Sequence, residues 1–98
     1  IDQFKPFGYG NHEHLFLFSK MQVFGSVNAI GAGKKHLKFG VSGKDQRNFE
    51  VIGFNMASKI ATIKTNSFYD LAGTINVNNW NGTQRLQIKL RDIRPSQS

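Results

Sequence analysis

From Met21 the apolar and polar side chains alternate: Met21, Val23, Val27 and Ala29 fall on one side of an extended chain, Gln22, Ser26 and Asn28 on the other. A period of two residues marks a strand with one buried face. Gly25 interrupts it, at a place where strands of small barrels bend or bulge. Phe24 falls on the polar side, an exception that the alternation leaves unexplained. Gly31-Ala32-Gly33 ends this strand, and a second starts near His36, with Leu37, Phe39 and Val41 alternating with His36, Lys38, Gly40 and Ser42. Ser42–Gln46 reads as a hairpin turn.

A third strand covers Asn48–Phe54 with Phe49 and Val51 inward. Ile52 and Phe54 break its alternation, which points to a bulge or a covered second face. Ala57–Ile63 reads as a short helix, with Ile60 and Ile63 three residues apart on one side. Phe68–Val77 is a fourth strand, with Tyr69, Leu71, Ile75 and Val77 sharing a face. Asn78–Gly82 then reads as a turn whose Asn81-Gly82 pair supplies positive φ. The fifth strand alternates most cleanly: Leu86, Ile88 and Leu90 on one side, Arg85, Gln87, Lys89 and Arg91 on the other. Three strands, a short helix and two strands is the order of an all-β fold, the five-stranded Greek-key barrel called the OB-fold. SH3-like barrels have no helix at that point. The divisions that follow are a lead-in over residues 1–19, a barrel over 20–95 and a polar tail over 96–98.

Ninety-eight residues form one domain, and at 39% hydrophobic with nine Phe they can build a compact core. A deep catalytic cleft is hard to house at this size. The absence of Cys excludes disulfides and thiolate metal sites. No apolar run approaches the ~18 residues of a membrane-spanning helix and no signal-peptide pattern appears, so a cytoplasmic location is expected. The start at Ile1 reads as the cut end of a longer chain. The net charge of +7, from 13 Lys+Arg against 6 Asp+Glu, favours a polyanionic partner. It gathers in two stretches: Lys34, Lys35, Lys38, Lys44 and Arg47 in one, Arg85, Lys89, Arg91 and Arg94 in the other.

Gly31-Ala32-Gly33-Lys34-Lys35 lacks the first Gly and the Ser or Thr of a nucleotide-binding loop, having Asn28 and Lys35 in those places. It is either a solvated turn or a basic loop that meets phosphate. His12, Glu13 and His14 with a distant His36 make a poor metal set, and no metal site is expected. The six carboxylates are scattered singly, so paired acid–base chemistry is missing. Asn81-Gly82-Thr83 matches a glycosylation sequon, but nothing signals secretion. Trp80, at a hairpin tip among Asn residues, either folds back over the barrel end or offers a base-stacking platform. In OB-folds the ligand crosses the second and third strands, between the loops joining strands 1–2 and 4–5. Those elements carry Lys34, Lys35, His36, Lys38, Arg47 and Trp80, and the outward row Arg85, Lys89 and Arg91 can continue a phosphate track.

Pro6-Phe7-Gly8-Tyr9-Gly10-Asn11 with Leu15-Phe16, His36-Leu37-Lys38, Ile52-Gly53-Phe54, Leu71-Ala72-Gly73-Thr74-Ile75-Asn76, Asn79-Trp80-Asn81-Gly82 and Leu86 to Pro95 come in an order and spacing that resembles the OB domain of the RecJ family. Those bacterial proteins are single-strand-specific 5′→3′ exonucleases of recombination and repair. The resemblance covers nearly the whole chain. It departs after Asn11, where the family usually has prolines and this chain has His12 and His14. The resemblance implies a non-catalytic domain that holds single-stranded DNA, with Ile1–Phe18 joining it to upstream catalytic domains. The family's manganese or magnesium belongs to those domains and to an Asp-His-His string that is absent here, so no cofactor is expected on this chain. A competing expectation is a module that docks acidic partners, such as the tail of a single-strand-binding protein, or the catalytic domains themselves. Binding of tRNA, as in synthetase-type OB domains, is a third.

Overall fold

The computed structural model describes residues 2–4 and 14–97. Its strands are β1 (Asp2–Phe4), β2 (Leu15–Ile30), β3 (His36–Ser42), β4 (Asn48–Gly53), β5 (Phe68–Trp80) and β6 (Thr83–Pro95). Around the barrel the order is β2-β3-β4-β6-β5, and β5 pairs back onto β2, so the sheet closes. All contacts are antiparallel except β4 with β6, where Glu50, Val51 and Ile52 run parallel to Gln87, Ile88 and Lys89. One parallel contact between the third and fifth strands of a closed five-stranded barrel is the topology of the OB-fold expected from sequence. β1 adds an antiparallel strand outside the ring, against Leu15–Leu17.

The alternation in β3 is complete. Leu37, Phe39 and Val41 are buried, while His36, Lys38, Gly40 and Ser42 face outward, half-buried. Leu37, Val41, Val51, Leu71, Ile88 and Val23 are fully sequestered and meet in one core. Burial of each such side chain contributes roughly 1.5–3 kcal/mol.

Four features differ from the sequence reading. The first barrel strand begins at Leu15, inside the stretch read as lead-in, and it carries two irregularities, the first of which hid its period. One lies between Phe18 and Met21, both buried, where Lys20 adopts φ 54°. The other lies between Phe24 and Asn28, with Gly25 at φ 69°. The first adds one residue and so reverses the parity of the side chains that follow, whereas the second adds two and leaves it unchanged. The helical segment Ala57–Thr62 is a 3-10 helix without a side-chain N-cap, as suits a run too short to sustain α-helix. Its exit is fixed by buried Tyr69, whose hydroxyl donates to the Thr62 carbonyl at 3.1 Å and accepts from the Lys64 N–H at 2.7 Å. The β5–β6 pairing continues to Trp80 and Thr83, leaving a two-residue turn of Asn81 (φ 48°) and Gly82 (φ 77°). Val77, read as sharing a face with Tyr69, Leu71 and Ile75, is 53% exposed on this arm. Finally, β4 ends at Gly53, and the broken alternation at Phe54 is the chain leaving the sheet.

Candidate nucleic-acid interface

Cross-strand register places a row of side chains on the outside of the barrel. Gly40 lies opposite both Phe24 on β2 and Glu50 on β4, and Glu50 lies opposite Gln87 on β6. One step along, Asn28, Lys38, Ile52 and Lys89 form a parallel row. A groove of about 540 Å³ crosses the strands here, from the β2 bulge over Gly40 to Arg85. A second lobe of about 530 Å³ shares Lys38, Glu50, Arg85 and Leu86 with the first and continues to Val77 and Asn79 on the β5–β6 arm.

Phe24 is explained by Gly40. A Cβ on Gly40 would fall 2.7, 2.9 and 3.1 Å from Cζ, Cε1 and Cε2 of the Phe24 ring. Three near-equal approaches mean that the outer half of the ring lies flat over the glycine. One ring face therefore covers backbone that has no side chain of its own, and the residue stays 42% exposed. A second ring sits nearer the turn that joins β2 to β3. Phe54, 52% exposed, packs edge-on against His36 with centroids 5.2 Å apart, and Lys89 Nζ lies 5.8 Å from its centroid. Such a lysine is attracted by the ring's quadrupole.

Charges on the face are held in place. Lys38 Nζ lies 3.6 Å from Glu50 Oε2, and Gln87 Nε2 donates to Glu50 Oε1 at 2.9 Å. Lys34 and Lys35 are exposed in and after a 3-10 turn, Ala32–Lys34. His36 accepts the Asn55 N–H on Nδ1 at 3.0 Å, which fixes the imidazole between that turn and the end of β4. Gly31 is required beneath it: at φ 86°, a Cβ would fall 2.6 Å from His36 Cδ2.

The residues expected to contact DNA therefore divide. Lys38, Arg85 and Lys89 come together on the face with His36 beside them, and Lys34 and Lys35 stand at one end. Arg47 lies past the opposite end of β3, in the β3–β4 turn, paired with Asp45 at 3.2 Å. Arg91 leaves the row because a bulge opposite Ala72–Gly73 falls at its position. The close approach of the strands there requires Gly73, since a Cβ would meet the Lys89 carbonyl oxygen. Trp80 pairs with Thr83 through its backbone, and its side chain lies outside the described residues. Of the sequence's metal candidates, His12 and Glu13 also lie outside them. No cluster of three or more His, Asp or Glu is gathered among the described residues.

Sequence reasoning missed Phe24, Phe54, Glu50 and Gln87. Phe24 and Phe54 had each left a signal as a break in alternation. Glu50 and Gln87 left none, because an outward acid or amide on a strand is ordinary.

No helix among the described residues is long and apolar enough to cross a membrane. The barrel superposes on the SSB domain of a Synechococcus sp. protein with a TM-score of 0.68 over 87% of this chain and 98% of that one, at 11% identity. That likeness is one of fold. Across 97 residues the sequence is 26% identical to the Bacillus subtilis protein described as single-stranded-DNA-specific exonuclease RecJ. The match takes in 99% of this chain and 12% of that relative's length. The RecJ OB domain family itself matches residues 1–92, from β1 into β6. With the family pattern and the barrel topology coinciding over almost the whole chain, the chain belongs to the RecJ OB domain family.

Proposed function

We propose that this domain binds single-stranded DNA across the outer face of β2, β3, β4 and β6, as a non-catalytic part of a longer 5′→3′ exonuclease. The observation that carries the reading is the Phe24 ring, laid over Gly40 in an open groove that also holds Lys38 and Arg85. One ring face is used by the fold and the other is available for a base, a contact that contributes about 1–3 kcal/mol. Phe54 supplies a second platform toward the β2–β3 turn.

Lys38, Lys89 and Arg85 meet backbone phosphates beside these rings, and Lys34 and Lys35 meet those at one end. Arg47 and Arg91 contact only DNA that continues past the face. Trp80 stacks on a base at the hairpin tip. Platforms of this kind need bases that are free of pairing and stacking, and among the described residues the sheet presents no helix to a major groove. The relative's description as a single-stranded-DNA-specific enzyme supports the same substrate, and catalysis is assigned to the remainder of such a longer chain.

Amide chemical-shift mapping of the 98-residue chain with oligo-dT tests the site. The expected perturbations centre on Phe24, Gly40, Lys38 and Gln87. Shifts confined to the far side of the barrel, or none at saturating DNA, would refute it.

A further inference from the structure

Glu50 is the one carboxylate among the described residues that line the two lobes of the groove. Its position is costly for a surface that binds a polyanion, because it repels phosphate and engages Lys38. With only 6 Asp+Glu in the chain, abundance does not account for it. It is also well placed. Glu50 lies directly opposite Gly40, over which the Phe24 ring reaches, so a base stacked on that ring would have the carboxylate beside it.

The carboxylate is held and still able to accept. Gln87 donates to Oε1 at 2.9 Å, which leaves a further lone pair on that oxygen. Lys38 stands 3.6 Å from Oε2, an ion-pair distance beyond direct hydrogen-bond reach.

We propose that Glu50 reads the base seated on Phe24 and gives the groove a preference for guanine over thymine. The inference rests on the single-strand-binding reading above. Guanine alone presents two adjacent donors on its pairing edge, N1–H and the N2 amino group, which match the two oxygens of a carboxylate. Thymine offers N3–H between two carbonyls that a carboxylate repels. Adenine and cytosine each place a ring-nitrogen acceptor beside their amino group. Gln87 and Lys38 act as positioning residues that fix the carboxylate's plane and offset its charge.

The test measures fluorescence anisotropy of the 98-residue chain with labelled oligo-dT, and with the same length carrying isolated guanines, in lithium buffer so that guanine quadruplexes do not form. The guanine oligonucleotide is expected to bind about tenfold more tightly, on the scale of one bidentate base contact. Replacing guanine by inosine, which lacks the N2 amino group, should remove part of that gain. Glu50→Gln should abolish the discrimination while binding oligo-dT at least as tightly as the wild type, since a repulsive charge is gone. If Glu50 only offsets Lys38, the substitution tightens both ligands equally and the ratio is unchanged, which overturns the inference. Equal affinity of the wild type for both ligands overturns it too, with single-strand binding left standing. Failure to bind either ligand overturns both.

Discussion

Phe24 and Gly40 act as a pair, since the glycine makes room for the ring and the ring covers the glycine's bare backbone. Phe24→Ala is expected to weaken oligo-dT binding by ~1–3 kcal/mol, read by titration. Gly40→Ala tests the same geometry from the other side. Its methyl would stand 2.7–3.1 Å from three ring atoms, so the ring must tilt away. Binding should then fall although no charge and no aromatic group is lost. A Gly40→Ala protein with wild-type affinity would show that the flat ring is not the platform. The residue scale also exposes the limit of reading by alternation. Lys38 and Lys89 were legible as outward residues of regular strands, whereas Phe54 follows the last residue of β4, so its break in alternation marked an irregularity without showing where the ring goes. Trp80→Ala gives a further check: as a stacking residue it should lower affinity by ~1–3 kcal/mol and leave the melting temperature in place.

At the scale of elements, β3 and the stretch Leu86–Leu90 of β6 were readable because their own alternation is unbroken, and the start of β2 was not because the bulge before Met21 reverses its parity. The first bulge is secured from a distance. Asp70 on β5 accepts the Lys20 N–H on Oδ1 at 3.0 Å and the Ser96 hydroxyl on the same oxygen at 2.7 Å, with Arg94 3.6 Å from Oδ2. These contacts, the backbone donor first, hold the Asp70 carboxyl below its ordinary value against the opposing effect of burial. A group depressed in the folded state stabilises it fully above the unfolded value, about 4, and loses that contribution as pH falls through the folded value. Melting curves of the wild type and Asp70→Asn should therefore lie apart at neutral pH and converge in acid below that range. Curves parallel at every pH would show that the charge on Asp70 is not what secures the bulge. Tyr69→Phe removes both hydroxyl bonds that hold the exit of the 3-10 helix, and should cost about 1–3 kcal/mol in denaturant titration.

For the whole molecule, the strand order was enough to expect the barrel, and the register of three adjacent strands then determined which of the many cations share a face. That selection was beyond the sequence, because β6 meets β4 through a parallel contact between segments far apart in the chain. It brought Lys38, Lys89 and Arg85 together and left Arg47 and Arg91 aside. The central claim is that this face holds single strands through stacking and a few phosphate contacts. The most direct measurement titrates the 98-residue chain with oligo-dT and with blunt duplex of equal length over a series of salt concentrations. With about five phosphates neutralised, log K for the single strand should fall with log salt at a slope of roughly −3.5, and the duplex should bind more weakly at every salt concentration. Equal or tighter binding to the duplex would contradict the account.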